Sequence, residues 1–483
     1  LNHDVNSGRE PGRRPSGGEG RAERRDEIRS LVAKYDRPGP RYTSYPTAVE
    51  FSENVGREAY ETRLSEADQH PEAPLSIYLH LPFCAERCLF CGCHVIATEH
   101  RERTKPYLSL LAKESALVAE RLPHRRRFAQ LHLGGGTPTY YSPQELTALT
   151  ASLLSQFEPV PDAELAVEVD PRVTDGEHID ALAAVGFNRV SMGVQDFDPA
   201  VQERIHRRQS PEQTSTLIER ARERGYRGIN VDLIYGLPLQ TATGFERTLE
   251  QVIDMGADRV AVYSFAYVPW MRGHQKKLNP DELPSNDAKL ELFAIARERL
   301  LNAGYEAIGM DHFAKPDDEL SRARKKGRLR RNFQGYAVTP GDDVIALGLS
   351  GIGDVRGLVV QNSKKLSTYG DAVERGELPV ERGLIRSRDD AMRSELIEQL
   401  MCNFDVEIGP FERRWGITFG DYFACDLAQL APYVAEGLVS SNEDRIRATP
   451  LGEMFVRNLA MCFDRYMREK HGHASQHTFS RTV

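Results

Sequence analysis

The sequence predicts an α/β fold: a parallel sheet of βα units, preceded by an extended N-terminal segment and followed by a mostly helical, winged-helix-like C-terminal region. Three observations carry this expectation. Six apolar runs of strand length recur between residues 76 and 265, separated by stretches with helical periodicity. Several of those helical stretches end on glycine, a common helix stop. From about residue 386 the strand-like runs give way to helical patterning. Alternating strand and helix argues for parallel strands whose sheet must close on itself or be covered on both faces. Spacing alone leaves two architectures open, a partial barrel of six βα units and an open doubly wound sheet.

At 483 residues the chain is long enough for one large domain and a smaller companion. The expected division is a tail at 1–24, an N-terminal strap at 25–75, a catalytic domain at 76–385 and a helical domain at 386–483. The first 20 residues hold two clearly apolar positions, Leu1 and Val5, among five glycines and two prolines. Such a segment cannot bury enough surface to offset the entropy of ordering, so disorder is expected there. DEIRSLVAKYD suits a short helix. In GPRYTSYPTAVEF (39–51) two prolines break helical geometry, and the aromatic residues suit an extended strap packed on the barrel.

The strand-like runs are SIYLHLPF (76–83), FAQLHLGG (128–135), ELAVEVDP (164–171), NRVSMGVQ (188–195), GINVDLIYG (228–236) and DRVAVYSF (258–265). In barrels of βα units, chemistry collects at the C-terminal ends of the strands, and the notable residues fall there. Cys84 follows the first strand and GGGTP (134–138) the second. Glu168 and Asp170 close the third and Gln195 the fourth; Asp232 lies within the fifth, and Ala266 follows the sixth. The glycine triplet suits a tight turn, or a backbone that a ligand approaches closely. Tyr78 and His80 alternate on the first strand and should face one side, with no role assigned to His80. GLSGIG (348–353) is not a G-x-G-x-x-G loop and opens no clear helix, so alone it signals little.

Residues 78–94, YLHLPFCAERCLFCGCH, contain four of the seven cysteines. Cys84, Cys88 and Cys91 form C-x3-C-x2-C, with Cys93 close behind. Zinc is one reading, but structural zinc sites close with a second ligand pair, and Cys402, Cys425 and Cys462 are isolated and distant. Three thiolates on a short loop suit three irons of a [4Fe–4S] cluster, with the fourth iron open to a non-protein ligand. An open, reducible iron permits one-electron cleavage of S-adenosylmethionine (SAM) to a 5'-deoxyadenosyl radical. A fourth thiolate would close that iron, so Cys93 is read as a neighbour rather than a ligand.

The C-terminal region reads as three helices, a hairpin and a last helix. The stretch 420–437 carries Asp421, Asp426 and Glu436 without Lys or Arg, which opposes a DNA-reading role and favours a lid over the barrel mouth. Cys402, Cys425 and Cys462 lie in apolar helical contexts and are expected to be buried. KKGRLRR (325–331) suits a solvated face, although Arg330 or Arg331 is a candidate partner for an acidic substrate group. A net charge of −8 argues against a nucleic-acid partner. No apolar run is long enough to span a membrane, and there is no apolar signal core at the N-terminus, so a cytoplasmic protein is expected.

The cysteine motif, with Phe90 before its third cysteine, resembles the radical SAM superfamily. The flanking segments GPRYTSYPTAVEF, GCHVIAT, LHLGGGTPTY, EVDPR, SMGVQDF, VDLIYGLPLQT, GMDHFAKPDDEL and RNFQGY are similar to oxygen-independent coproporphyrinogen III oxidases, also called coproporphyrinogen dehydrogenases, from about Tyr35 to the C-terminus. The resemblance implies a partial (β/α)6 radical SAM barrel with its strap near the active-site mouth. It implies oxidative decarboxylation of two propionates of coproporphyrinogen III to the vinyls of protoporphyrinogen IX, in haem biosynthesis. By motif, Cys84, Cys88 and Cys91 would hold the [4Fe–4S] cluster, and Tyr78, Gly135, Glu168 and Ile352 would surround the SAM bound to it. Phe90, Gly136, Thr137, Gln195, Arg207, Asp232 and Ala266 would surround a second SAM. Without the resemblance, Arg207 reads as a surface ion pair. A low-potential electron donor is implied, a monomer is the expectation, and the alternative is a haem carrier on the same barrel.

Overall fold

The computed structural model describes residues 28–338, 341, 343–469 and 479–482; the expected tail at 1–24 lies outside them. All six expected strands form: β1 (Leu75–Leu81), β2 (Arg127–Gly135), β3 (Glu158–Val169), β4 (Arg189–Gln195), β5 (Gly228–Tyr235) and β6 (Arg259–Ser264). They belong to a twelve-stranded sheet that also contains β7 (Glu306–Ile308), β8 (His312–Ala314), β9 (Asp343–Leu347), β10 (Ile352–Val355), β11 (Leu358–Asn362) and β12 (Val380–Ile385). The spatial order is β12-β11-β10-β9-β1-β2-β3-β4-β5-β6-β8-β7.

This order decides between the two architectures. Strands β1 to β6 are parallel and follow one another in chain order without a reversal. A doubly wound sheet reverses direction at a switch point; a single direction of right-handed crossovers puts every helix on one face and curls the sheet about the other. Beyond the six expected units, β9 adds a seventh parallel strand beside β1, and antiparallel strands extend both edges. GLSGIG is the turn between β9 and β10.

The outer helices start where their caps dictate. Helix α1 (Arg57–Asp68) lies within the strap region, after the segment 39–51 expected to be extended, and α2 (Lys105–Glu120) follows β1. Ser142, Asp175 and Ser210 close capping boxes on α3 (Pro143–Leu154), α4 (Gly176–Ala184) and α5 (Pro211–Glu223), and Thr241 caps α6 (Ala242–Asp254). Gly186, Gly225 and Gly256 take positive φ just beyond three of these helices. Helix α7 (Asn286–Asn302) follows β6 and a long loop.

A second hydrophobic cluster unites the C-terminal region with the strap. It draws on α8 (Arg388–Asn403), α9 (Ile408–Trp415), α10 (Ala424–Ala435) and α11 (Val456–Met461), together with Leu31, Val32, Tyr35, Tyr42 and Tyr45. Of the strap aromatics, Tyr42 and Tyr45 pack on the C-terminal region, Tyr42 donating to Asp464 at 2.8 Å and Tyr45 accepting from the Arg465 amide at 3.1 Å, while Phe51 lies against Arg382 of β12 at the sheet edge. The C-terminal strands Asp405–Glu407, Val439–Ser441 and Arg445–Ala448 form a small antiparallel sheet. The expected helix over 420–437 is broken at Phe423, and the last expected helix breaks between Met461 and Arg465. Cys402 and Cys462 are buried as expected, but Cys425 is exposed. On its helix the buried stripe runs through Asp426, Leu430 and Tyr433, and Cys425 falls off it.

Strap and C-terminal region touch both edges of the open sheet. On one edge Ser52 bridges Gly383 of β12, and Arg386 bonds the Tyr45 carbonyl at 2.9 Å. On the other, Glu453 pairs with Arg297 and Arg324, and Leu290 of α7 joins the C-terminal cluster.

Candidate active site

Strand alternation turns an unusually polar set of side chains into the barrel. A cavity of about 140 Å³ is lined by Ser76, Gln130, His132, Glu164, Glu168, Arg189, Ser191, Asn230, Asp232, Tyr263 and His312. Barrel interiors are normally filled by branched apolar residues, so this lining is matched to a polar occupant. The hairpin Arg330–Asn332 and Gly335–Ala337 adds Gln334 and Tyr336 to the wall. Asn230 Oδ1 and Gln334 Nε2 are buried there without a hydrogen-bond partner. Groups so placed await a ligand or water.

At the C-terminal rim the chain leaves β1, turns through Phe83–Cys84 and runs through the cysteine loop. Backbone bonds hold this loop: Gly136 N donates to Leu81 O at 2.8 Å, Thr137 N to Phe83 O at 3.0 Å, and Leu89 N to Ile205 O at 3.0 Å. Cys84 Sγ meets Thr137 Oγ1 at 3.3 Å. Cys88 Sγ is approached by Arg172 Nη2 at 3.4 Å and Arg207 Nη1 at 3.5 Å. Asp170 holds both arginines, at 2.7 Å and 2.9 Å. Burial pushes the Asp170 carboxyl up, but the two guanidiniums outweigh it and hold the group below its usual range. Arg207 is buried, so the surface-pair reading of it fails; its Nε has no partner. Burial pushes the Cys84 thiol up to about 12, and a hydrogen bond with Cys93 lowers Cys91. Cys93 itself is exposed. Among the described residues, no three His, Cys, Asp or Glu side chains gather tightly enough to share one metal ion. A cluster meets each thiolate at a separate iron, so three thiols on one loop under cationic donors fit it without that convergence.

Of the residues expected around the first SAM, Gly135 and Glu168 meet at the ends of β2 and β3, Tyr78 lies within β1, and Ile352 opens β10. Glu168 accepts from the Gly135 amide at 3.1 Å and meets His132 Nε2 at 3.1 Å. Its side chain is 42% exposed and lines the barrel cavity. Burial raises this carboxyl, and His132 more than offsets it, so Glu168 stays below the ordinary glutamate value. Tyr78 OH bonds His80 Nδ1 at 3.0 Å, and His80 Nε2 meets the His94 carbonyl at 2.9 Å. Burial lowers His80 to about 4, which makes it a neutral, fully bonded ring bracing the cysteine loop. Ile352 opens β10 nearby: Tyr107 OH donates to His80 O at 2.7 Å and accepts from Leu349 N at 2.8 Å, tying the β9–β10 turn to β1.

The glycine triplet serves close packing as well. A Cβ on Gly134 would lie 2.8 Å from the Glu168 carboxyl, one on Gly135 would lie 2.4 Å from the His80 ring, and one on Gly136 would lie 2.6 Å from the Pro82 backbone. Gly135 also takes φ +107°.

The second expected set is spread along the rim from β2 to β6. Gln195 ends β4 at a bulge with φ +70°, a conformation costly for a residue with a Cβ. Asp232 accepts from Ser191 at 3.1 Å and Asn230 at 2.8 Å, and burial raises it to about 6. Phe90 and Ala266 are linked because Gln275 Nε2 donates to both carbonyls, at 3.3 and 3.1 Å. His132, Arg172, Ser191, Asn230 and Gln334 were not singled out from the sequence. His132, Ser191 and Asn230 sit in strands at positions lining the cavity, where the two-residue period of polar residues marks them, whereas Arg172 lies in the turn after β3.

The radical SAM superfamily matches residues 78–252, and the HemN C-terminal domain matches residues 387–455. The oxygen-independent coproporphyrinogen III oxidase of Escherichia coli is 42% identical over 94% of this chain and 98% of its own length. This chain belongs to the oxygen-independent coproporphyrinogen III oxidase family. The corresponding proteins of Pseudomonas aeruginosa and Helicobacter pylori (strain J99) are 43% and 45% identical, over 90% and 91% of this chain and 95% and 97% of theirs. The solved Escherichia coli coproporphyrinogen III oxidase, described as a radical SAM enzyme, superposes with a TM-score of 0.86 over 90% of this chain and 98% of that one. Membership in this oxidase family accounts for the pairing of a cysteine loop with a polar barrel. It also means that the cofactors are a [4Fe–4S] cluster and SAM.

Proposed function

We propose that this chain converts coproporphyrinogen III to protoporphyrinogen IX without oxygen, by oxidative decarboxylation of two propionates to vinyls. The observation that carries the reading is the near-full-length match to coproporphyrinogen III oxidases, with the cysteine loop at the C-terminal rim of a polar barrel. Cys84, Cys88 and Cys91 hold the cluster; Cys93, exposed beside them, does not. Tyr78, Gly135, Glu168 and Ile352 surround the SAM on the cluster. Phe90, Gly136, Thr137, Gln195, Arg207, Asp232 and Ala266 form a second SAM site. The free Arg207 Nε and the open face of Glu168 support these roles, since they suit a carboxylate and an ammonium or ribose hydroxyls.

The propionate β-carbon carries an unactivated C–H bond that no side-chain base removes near neutral pH. When bound, the reduced cluster and SAM supply hydrogen-abstracting radical chemistry strong enough for that bond. The substrate then loses carbon dioxide as the vinyl forms, and one electron passes to an acceptor. The protein's own contribution is placement: Glu168 and Gly135 orient from one wall, Asp232 from the opposite wall, and the strap and C-terminal helices limit water entry. A low-potential one-electron donor and a cytoplasmic setting complete the reading; among the described residues no helix is long and apolar enough to cross a membrane.

An anaerobic assay tests this. Coproporphyrinogen III should yield carbon dioxide, 5'-deoxyadenosine and a divinyl product, and SAM should change the cluster's EPR signal. Stoichiometric haem binding without turnover would overturn the reading.

A further inference from the structure

The rim above β5 and β6 carries three cationic groups, of which Arg41 has one long ion pair and, among the described residues, Lys289 and Arg457 have none. Lys289, near the start of α7, donates to the Phe265 carbonyl at 3.0 Å, and its ammonium lies 5.8 Å from the Tyr235 ring centroid. Arg41, in the strap, lies 5.7 Å from the centre of the Tyr263 ring, and its nearest carboxylate, Asp311, is 3.9 Å away. Behind them Arg457, 5% exposed, donates to backbone carbonyls, those of Gly39, Pro40, Arg481 and Thr482 among the described residues. Among the described residues neither Lys289 nor Arg457 forms an ion pair.

A buried cation without a counter-charge is costly, and proteins normally pair it. Two carboxylates stand near this group: Asp36, which pairs with Arg481, and Asp311, whose Oδ1 meets His312 and whose Oδ2 faces Arg41 at 3.9 Å. The electrostatics agree. Burial pulls Lys289 down to about 8, Asp36 opposes that, and Arg41, Arg457 and Arg481 add repulsion. Arg457 is pulled to about 9, by burial first and Arg41 next. The uncompensated charge of the rim is therefore that of Lys289 and Arg457, with Arg41 beside them balanced by Asp311 across 3.9 Å. Beside it Phe265, Tyr263 and Tyr267 form an apolar, aromatic wall continuous with Phe90 of the cysteine loop. A flat macrocycle with carboxylates at its edge matches both features, the ring against the wall and the acids against the cations.

We propose that Lys289 and Arg41, backed by the buried charge of Arg457, form a clamp for propionate carboxylates of the porphyrinogen at the β5–β6 rim. This rests on the oxidase reading above. It also gives the strap a function: its Arg41 reaches the site because Arg457 fastens Gly39 and Pro40 in place.

SAM also has a carboxylate, so the test separates the two sources. Coproporphyrin III, the air-stable oxidised form of the substrate, is titrated by fluorescence into the full-length protein, wild type and Lys289→Met, Arg41→Gln and Lys289→Arg. Steady-state KM values for coproporphyrinogen and for SAM are measured on the reconstituted enzymes. The clamp predicts porphyrin Kd and substrate KM raised about tenfold or more in Lys289→Met and Arg41→Gln. It further predicts partial recovery in Lys289→Arg and an unchanged KM for SAM. A raised KM for SAM with unchanged porphyrin binding would assign the cations to the cofactor and overturn the clamp. Unchanged values for both would overturn it as well. If the wild-type protein itself neither bound nor turned over the substrate, the oxidase reading would fail first. Lys289→Met keeps the aliphatic stem and charge removal there relieves repulsion, so a folding defect would itself contradict the argument.

Discussion

Asp170→Asn is the most informative single change at the cysteine loop. The Asp170 carboxylate, 7% exposed, receives Arg172 through Nη2 at 2.7 Å and Nε at 3.0 Å, and Arg207 through Nη1 at 2.9 Å. Both guanidiniums continue to Cys88 Sγ. The amide keeps the shape and one acceptor oxygen but removes the charge, leaving two cations that have no other carboxylate partner among the described residues. Breaking a buried pair from one side costs about 3–5 kcal/mol. Arg172, partly exposed, can recover some solvent, so the lower half of that range is expected for the cluster-free protein. With the cluster assembled, the Cys88 thiolate restores a negative charge and the loss should shrink. Urea unfolding of both forms measures the two losses, and iron content reports whether the loop still assembles. The control is Asp170→Asn/Arg207→Met. If an uncompensated guanidinium causes the loss, removing it should return part of the stability. A single variant within about 0.5 kcal/mol of wild type, or a double variant less stable than the single, would refute the reasoning.

Two further outcomes follow from the same rim. Gly136→Ala places a methyl 2.6 Å from the Pro82 backbone, which cannot rotate aside, so a loss of about 1–3 kcal/mol and reduced iron incorporation are expected in anaerobic reconstitution. Glu114 is buried under Tyr369, the Gly348 amide and Asn362, and burial raises its carboxyl to about 7. Because the folded value exceeds the unfolded one, the penalty is absent below about pH 4.5 and complete above about pH 7, amounting to roughly 3 kcal/mol. Glu114→Gln should flatten the fall in stability over that window, as read by unfolding midpoints at about pH 5 and pH 8; an unaltered slope would place the titration elsewhere.

The six barrel strands were legible because each run has strand length and alternates with a stretch of helical periodicity, several of which end on a glycine such as Gly186 or Gly225. The choice of barrel over doubly wound sheet was not, because crossover direction is a three-dimensional property that spacing does not encode. Strands β9 and β11 escaped notice because every one of their residues is buried, which removes the alternation that marks a half-exposed strand. The cysteine loop was legible from spacing alone, but the ring of groups supporting it was not. Asp170, Arg172 and Arg207 are distant in sequence from Cys88, and only the packing of β3 and the segment after β4 brings them to it. Arg330 and Arg331 show the same limit at one-residue scale. Arg330 is exposed and paired with Glu398, while Arg331 turns inward to the Arg41 carbonyl and over the Tyr336 ring.

The arrangement of the loop bears on how a reactive site of this kind is kept in order. Its backbone is fixed from three sides: the β2 end through Gly136 and Thr137, the segment after β4 through Ile205, and the parallel pairing of Phe83–Cys84 with Ile96–Ala97. His80 spans the fourth side by bonding His94, and Tyr107 ties His80 in turn to the turn before Ile352. None of these bonds uses a cysteine sulfur. The positions of Cys84, Cys88 and Cys91 are therefore set largely by contacts that exist before any cluster is bound, and the same contacts set Glu168 through Gly135 and Ile352 through Leu349. A displaced strand end would move the thiols together with Glu168 and Ile352, which preserves their relative geometry, whereas a local change such as a methyl on Gly136 would separate them. Preorganisation of this sort is worth most where a misplaced reactant reacts with the wrong neighbour, and it accounts for three adjacent glycines whose absent side chains are each replaced by a different neighbouring group.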